Sequence, residues 1–261
     1  MKLHRVFGLL LKHYYTTTNK ADRLFDMFYW PAIDLFVWGF ASVYISQISD
    51  YNLLSMILGG IILWIFVWRG SQDIAVYMLE DFWSKNLYHL FSSPVKLSEH
   101  LLSVILFAFF RSIISGVAMG VLAYIMYSFN ILSIPIAVAG ISVFLLSLFG
   151  WIMGLFVAGL ILRYGQRIQV LGWSTVWVVQ PFSCVFYPLS ALPAWAKSIA
   201  VWLPTTYVFE NMRAALAGSA VDYGVYFLSF LVSLALLGVM LIFVYRSFLR
   251  ARKTGLLARG D

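Results

Sequence analysis

Charge is what this sequence has little of. Only 11% of its 261 residues are Asp, Glu, Lys or Arg, against about 25% in an ordinary soluble domain. A single cysteine, Cys184, excludes an internal disulfide. No GxxxxGK[ST] run is present, so the chain has no P-loop with which to cradle nucleotide phosphates. The four histidines, His4, His13, His89 and His100, show no HExxH spacing and argue against a metal centre. No GxSxG or cysteine–histidine arrangement supports membrane-enzyme chemistry. A cleavable signal is not expected from these residues: the apolar core after Lys2 is only Val6–Leu11, broken by Gly8 and followed by Lys12.

What is present is long apolar sequence. Residues 31–49, 53–68, 101–129, 131–162, 170–189 and 223–245 carry almost no charge. About 18 or more apolar residues suffice to cross bilayer hydrocarbon as a helix. Only helices and closed barrels satisfy their backbone polar groups there, and these runs are too long and continuous for barrel strands. The expected fold is therefore an all-α integral membrane protein with six transmembrane helices. Residues 1–261 form a single transmembrane domain whose spans and connections leave no room for a soluble catalytic domain. Many of the 10 Trp and 15 Tyr, such as Tyr29, Trp30, Trp68, Trp173, Trp195 and Trp202, sit near the ends of the runs, as interfacial belts require.

The basic residues fall at alternate breaks. With the N-terminus in the cytoplasm, all Lys and Arg except Lys197, Arg213 and Arg111 lie on the inner side, Lys85, Arg167 and Arg252 among them, while Asp50 lies outside. This is the positive-inside pattern, with both termini cytoplasmic. It accounts for the formal charge of +7 without nucleic acid, because the cations are dispersed along membrane boundaries rather than gathered in a patch.

Residues 1–24 hold an amphipathic helix expected to lie flat on the inner membrane surface. The first span runs from about Met27 to Ile48, with Pro31 in its first turn. The second, from Leu53 to Arg69, continues downward through Asp73 and Glu80, and its lower part, Arg69–Asp81, is polar enough to stand in water. Residues 80–98 form the longest inner connection. Phe82, Leu87, Leu90 and Phe91 suggest a short amphipathic helix, broken at Ser93-Pro94, with Ser98 as the cap of the third span. Gly116 and Gly120, and Gly150 and Gly154, form GxxxG pairs that read as close packing within the subunit. The fifth span, Val170 to Tyr187, ends at Pro188. Residues 188–218 are apolar but cut by Pro188, Pro193 and Pro204 into pieces too short to cross, and read as an outer re-entrant helical hairpin between the fifth and sixth spans.

Two charges fall inside spans, Asp34 and Arg111. They are candidate pathway residues, with structural pairing the competing reading for Arg111. Glu210 and Arg213, three apart, share one face of the second hairpin helix.

SPVKLSEHLL resembles the inner coupling loop of type-2 ABC exporter permeases. YPLSALPAW…WLPTTYVFENMRAAL resembles their outer re-entrant hairpin. The order of these segments, the six spans and the length extend the resemblance over essentially the whole chain. The resemblance implies the membrane subunit of an ATP-driven exporter: half of a homodimeric pore in a bacterial or archaeal cytoplasmic membrane, with two separate ABC ATPase subunits beneath. No cofactor is then held by this chain; ATP and magnesium sit in the partner ATPase, and membrane lipid is the other partner. ATPase coupling falls to Glu80, Phe82, Leu87, Leu90, Phe91, Pro94 and Val95. The outer gate falls to Pro188, Pro193, Trp195, Pro204, Tyr207, Glu210 and Arg213. An amphipathic cargo, whether lipid, lipid-linked glycan or drug, suits the apolar, aromatic spans. A stand-alone channel or secondary transporter is the alternative; it fits less well, because the deep spans are nearly free of carboxylates and show no inverted repeat.

Overall fold

The structure, a computed structural model, describes residues 1–47 and 53–256; the predicted outer residue Asp50 and the tail cation Arg259 lie outside them. Ten α-helices follow in order among the described residues: α1 (Leu3–Thr18), α2 (Ala21–Ser46), α3 (Leu53–Trp83), α4 (Asn86–Ser92), α5 (Leu97–Tyr127), α6 (Ile136–Tyr164), α7 (Val170–Val179), α8 (Ala194–Ala200), α9 (Pro204–Leu216) and α10 (Tyr223–Thr254). No strand occurs among these residues.

Five helices, α2, α3, α5, α6 and α10, are long and apolar enough to cross a membrane. At 1.5 Å per residue, the 31 residues of α3 extend about 46 Å, well beyond a hydrocarbon core of about 30 Å. The expected fifth span differs. Helix α7 has 10 residues, about 15 Å. It then tightens into a 3-10 turn, Gln180–Phe182, where Pro181 occupies the first turn, and ends at Cys184, which adopts a left-handed backbone (φ 54°). The segment is apolar throughout, but the proline and the reversal at Cys184 stop its helix short.

Two boundaries also move. Helix α1 ends at Thr18 and α2 begins at Ala21, so the interfacial helix is shorter than residues 1–24 and Pro31 stands inside α2 rather than in its first turn. Proline has no N–H for the carbonyl four residues earlier. That carbonyl, of Met27, accepts a hydrogen bond from the Ser115 hydroxyl of α5 instead (3.0 Å). The backbone group freed by Pro31 thus becomes a tie between two spans.

Helices α3 and α6 form the centre of the bundle. Their crossing is set by small residues. A Cβ on Gly150 would lie 2.7 Å from the Val67 carbonyl oxygen, and one on Gly154 would lie 2.8 Å from Ile74 Cβ. Gly116 faces Phe66 of α3 in the same way. The glycine pairs therefore serve packing within the subunit. Helices α2 and α10 sit on the outside, with large apolar side chains such as Trp30, Phe40, Phe227 and Leu241 exposed, as suits helices facing lipid or a second subunit. Helix α9 packs onto this bundle through Phe209 and Met212, both fully buried.

A paired test follows for the crossing. Alanine at Gly140, which has open space around it, should leave the melting temperature unchanged or raise it, since alanine favours helix by up to about 1 kcal/mol. Alanine at Gly150 should lower it, because the obstructing atoms are backbone. Thermal unfolding of the detergent-purified protein, followed by tryptophan fluorescence, reads both; equal melting temperatures would refute the close crossing.

Candidate functional site

The inner connection is built by local backbone chemistry. Helix α3 ends where the Ser84 and Lys85 amides bond the carbonyls of Glu80 and Phe82 (2.9 and 3.0 Å), and Lys85 takes a left-handed conformation (φ 54°). Helix α4 follows at once, held by the Asn86 amide nitrogen donating to Asp81 Oδ1 (2.8 Å). Ser93, extended before Pro94, breaks it. Lys96, not Ser98, then caps α5, and Glu99 Oε2 accepts the Lys96 N–H (3.0 Å).

This folding sorts the predicted coupling residues onto two sides. Phe82 and Leu87 are 2% and 1% exposed, inside the core formed with α5, α6 and α10. Phe91 packs on Phe248 of α10 (4.6 Å between ring centroids). Leu90 and Val95 are half-buried, Glu80 is turned into ion pairs with Lys20 and Arg23 at the start of α2, and Pro94 is exposed. The apolar surface offered outward is different: Trp83 at the end of α3 and Tyr88 of α4, 44% and 53% exposed, the latter beside exposed His89 and Ser92. Spacing alone marked the apolar face of α4, but that face is the one the subunit itself uses.

Helix α1 is stitched to this region. The Lys2 amide donates to Glu99 Oε1 (2.7 Å). Arg5 donates to the Pro94 carbonyl. Lys12 pairs with Asp81 (2.5 Å). Just beyond α1, Lys20 and Arg23 both reach Glu80 (3.0 and 2.5 Å). Between these ties the imidazole of His13 is buried against Tyr77 (4.8 Å between centroids), Phe107 and His100. Its Nε2 lies 3.4 Å from Ser103 Oγ, and Thr17 bonds the Tyr77 hydroxyl (2.6 Å). Burial, then the nearby His100 and Lys12, push the His13 pKa down to about 3 against the opposing pull of Asp81.

Higher up, the lower part of α3 does not stand in water. Arg69 and Asp73 are nearly fully buried, as is Arg111 of α5. Arg69 pairs with Asp26 of α2 (2.7 Å) and lies 3.6 Å from Asp73. Arg111 pairs with Asp73 (2.7 Å) and lies 3.8 Å from Asp26. Arg69 also bonds the Asp26 carbonyl, and Arg111 the Arg23 carbonyl (3.1 Å). Two guanidiniums and two carboxylates make a neutral quartet joining three helices. Arg111 is thus a structural ion, and Asp26 and Asp73, its partners, carried no pairing signal in the sequence because they lie far along the chain.

Asp34, the other candidate pathway residue, does line open space. A groove of about 650 Å³ between α2, α3 and α7 is walled by Trp30, Trp68, Trp173 and Trp177 and bordered by Asp34 and Asp26. It presents flat aromatic faces beside carboxylates, an arrangement that stacks and hydrogen-bonds polyhydroxylated rings.

At the far end, the predicted hairpin is two short helices, α8 and α9. Pro188 and Pro193 are exposed in the turns before them, Trp195 is exposed with its ring edge against Phe182, and Pro204 is buried at the start of α9. The Tyr207 hydroxyl donates to the Val201 carbonyl (2.8 Å). Arg213 is buried. It pairs with half-exposed Glu210 (2.8 Å) and donates to the Cys184 carbonyl (2.8 Å). Glu210 in turn accepts the Leu189 N–H (2.7 Å). The pair therefore clamps the reversal at Cys184 onto α9.

A bundle of five helices apolar and long enough to cross a membrane, with a short helix at one end, an aromatic groove and two short clamped helices at the other, is the architecture of a membrane permease. Residues 12–217 match the family described as ABC-2 type transporter, and the chain belongs to that family, whose members are transport subunits rather than enzymes. Among curated proteins it is similar to the capsule polysaccharide export inner-membrane protein BexB of Haemophilus influenzae. Three such sequences are 25–27% identical over 182 residues, 67% of this chain. The match spans 64% of the length of those relatives.

Two outcomes test this geometry. Asp73→Leu leaves the guanidiniums of Arg69 and Arg111 with one half-exposed carboxylate between them and should destabilise by about 3–5 kcal/mol. Adding Arg111→Leu restores neutrality, so the double variant should melt above the single one. A double variant as unstable as Asp73→Leu would show that the quartet is not a charge-balanced unit.

The second outcome concerns acid. An undocked His13 titrates near the ordinary 6.5, so the docked neutral form contributes stability above that pH and loses it as pH falls from 6.5 toward 3. At pH 5 the loss is about 2 kcal/mol. Hydrogen exchange across residues 3–18 should therefore quicken between pH 7.5 and pH 5, after correction for intrinsic rates, and His13→Phe should reduce the excess, the remainder falling to the buried His100 beside it. An undiminished excess in His13→Phe would place the acid response elsewhere.

Proposed function

We propose that this chain is the membrane-spanning subunit of an ABC exporter in a bacterial or archaeal cytoplasmic membrane, with both termini cytoplasmic. It pairs with a second copy to form the path, and two separate ABC ATPase subunits, which hold ATP and magnesium, drive it. The observation that carries this reading is the division of the α4 region. Phe82, Leu87 and Phe91 fix the short helix to the bundle, so force applied to exposed Trp83 and Tyr88 is transmitted to α3, α5 and α10. Aromatic side chains presented outward where α3 turns into the short helix α4 suit a cleft in a partner.

The cargo is an amphipathic molecule, and a lipid-linked glycan is favoured over a plain lipid or drug. Two observations support this: the tryptophan and carboxylate groove that includes Asp34, and similarity to a relative named for capsule polysaccharide export. The hairpin, tied by Glu210 and Arg213, serves as the outer gate at the end of the path.

The test is co-reconstitution of the permease with its ABC ATPase in proteoliposomes. Tyr88→Asp combined with His89→Asp alters only exposed positions outside the Asp34 groove, which Trp83 borders, so the permease should insert and melt normally yet lose ATPase binding and ATP-dependent export by tenfold or more, on the order of hot-spot losses of 2 kcal/mol. Unchanged ATPase binding in that variant would remove the α4 surface from coupling.

A further inference from the structure

Helix α10 packs along α6 and α5 along α3, and at their basic ends α5 and α10 do not close on one another. The crevice left between them has a volume of about 830 Å³. Leu101 and Ile105 of α5, Trp151 of α6, and Leu237 and Leu241 of α10 form its apolar walls. At its mouth stand two cations from different helices, Lys96 and Arg252, with the Tyr245 phenol nearby. The Arg252 guanidinium is held over the Phe248 ring at 5.9 Å. Among the described residues no carboxylate lines the crevice, whereas Lys12, Lys20 and Arg23, at α1 and the start of α2, each meet an acid.

The dimensions are also specific. From Arg252 to Leu237 along α10 is about 22 Å, which equals one leaflet of a bilayer counted with its headgroups, about 20–22 Å. A greasy slot one leaflet deep with unopposed positive charge at the water end has the shape and charge of a phospholipid with an anionic headgroup. A globular partner would find no such depth, and a single-chain amphiphile would leave much of the wall bare.

We propose that the α5–α10 crevice is a binding site for one anionic diacyl phospholipid from the leaflet that borders Lys96 and Arg252. The acyl chains lie along Leu101, Ile105, Leu237 and Leu241, and the phosphate sits between the two cations. Because Leu87 and Phe91 of α4 pack on the same ends of α5 and α10, a lipid seated there braces the docking helix from behind. The site lies on the side of the subunit away from the Asp34 groove, so it is a lipid site distinct from the cargo path, and its existence does not depend on what the protein exports.

Native mass spectrometry of the full chain, released from vesicles of equal parts phosphatidylglycerol and phosphatidylethanolamine, tests it. The wild type should retain one phosphatidylglycerol in preference to phosphatidylethanolamine. Lys96→Gln with Arg252→Gln should weaken that retention about thirtyfold, the loss expected for two cations at an anionic surface. Arg163→Gln with Arg167→Gln, which removes two exposed cations elsewhere, should leave it intact. Leu237→Trp fills the apolar end without changing charge and should also displace the lipid. The proposal is overturned if phosphatidylethanolamine is retained equally, if both charge variants lose lipid alike, or if Leu237→Trp changes the oligomeric state while lipid retention stays whole, which would make the crevice a contact between subunits.

Discussion

Two buried guanidiniums facing two carboxylates are the interaction on which this bundle depends. Taking a charge out of water costs several kcal/mol, and the cost is offset only when each ion finds an opposite partner with good geometry. Arg69, Arg111, Asp26 and Asp73 meet that condition only if α2, α3 and α5 hold one relative height and rotation. Lipid supplies no net hydrophobic drive for helices to associate, so the register of spans must come from such polar ties and from close backbone packing. The quartet sets α2 and α5 against α3, and the Pro31-freed carbonyl of Met27, capped by Ser115, locks the same pair one level away. Gly150 and Gly154 do the corresponding work between α3 and α6.

The inner end inherits its rigidity from this frame. The α1 helix, cationic at Arg5 and Lys12 and followed at once by Lys20 and Arg23, lies across acids that α3 and α5 present, so the start of the chain, the end of α3 and the cap of α5 move as one piece. Helix α4 is the short element between them. Its inward side chains are committed to the core, which leaves Tyr88, with Trp83 at the end of α3, facing outward. At the other end, Arg213 ties α9 to the carbonyl of Cys184, where the backbone reverses. The bundle is thus braced at both ends by arginines that bond backbone as well as carboxylate, a use suited to the fork of donors that arginine carries.

Much of the architecture was legible in the chain, because it rests on local composition. The long apolar runs announced α2, α3, α5, α6 and α10. The prolines at 193 and 204 marked the starts of α8 and α9 to within a residue, since proline tolerates a first turn and little else. The glycine pairs read correctly as packing within the subunit. The expected fifth span went astray for a reason of the same kind: hydropathy measures apolarity and does not register that Pro181 and the left-handed Cys184 halt the helix. Pro31 misled in the other direction, being taken as a helix start when a hydroxyl from another span allows it to sit inside one.

The candidate site was less legible. Asp34 was singled out and does line the groove, but Trp173 and Trp177 join it only because α7 folds back beside α2 and α3. Arg111 was singled out and is structural, because its partner Asp73 is 38 residues away. Phe82 and Leu87 were assigned outward and point inward, because periodicity identifies an apolar face without saying what covers it. What the sequence by itself determined is therefore the solvent: which stretches belong in lipid, where they are interrupted, and where charge collects. What only the tertiary structure decided is the partner of each charge and the neighbour of each face. Contacts such as Arg111 to Asp73 and Lys2 to Glu99 join residues 38 and 97 positions apart, and at such separations pairing is fixed by the packing of helices and by nothing in their local sequence.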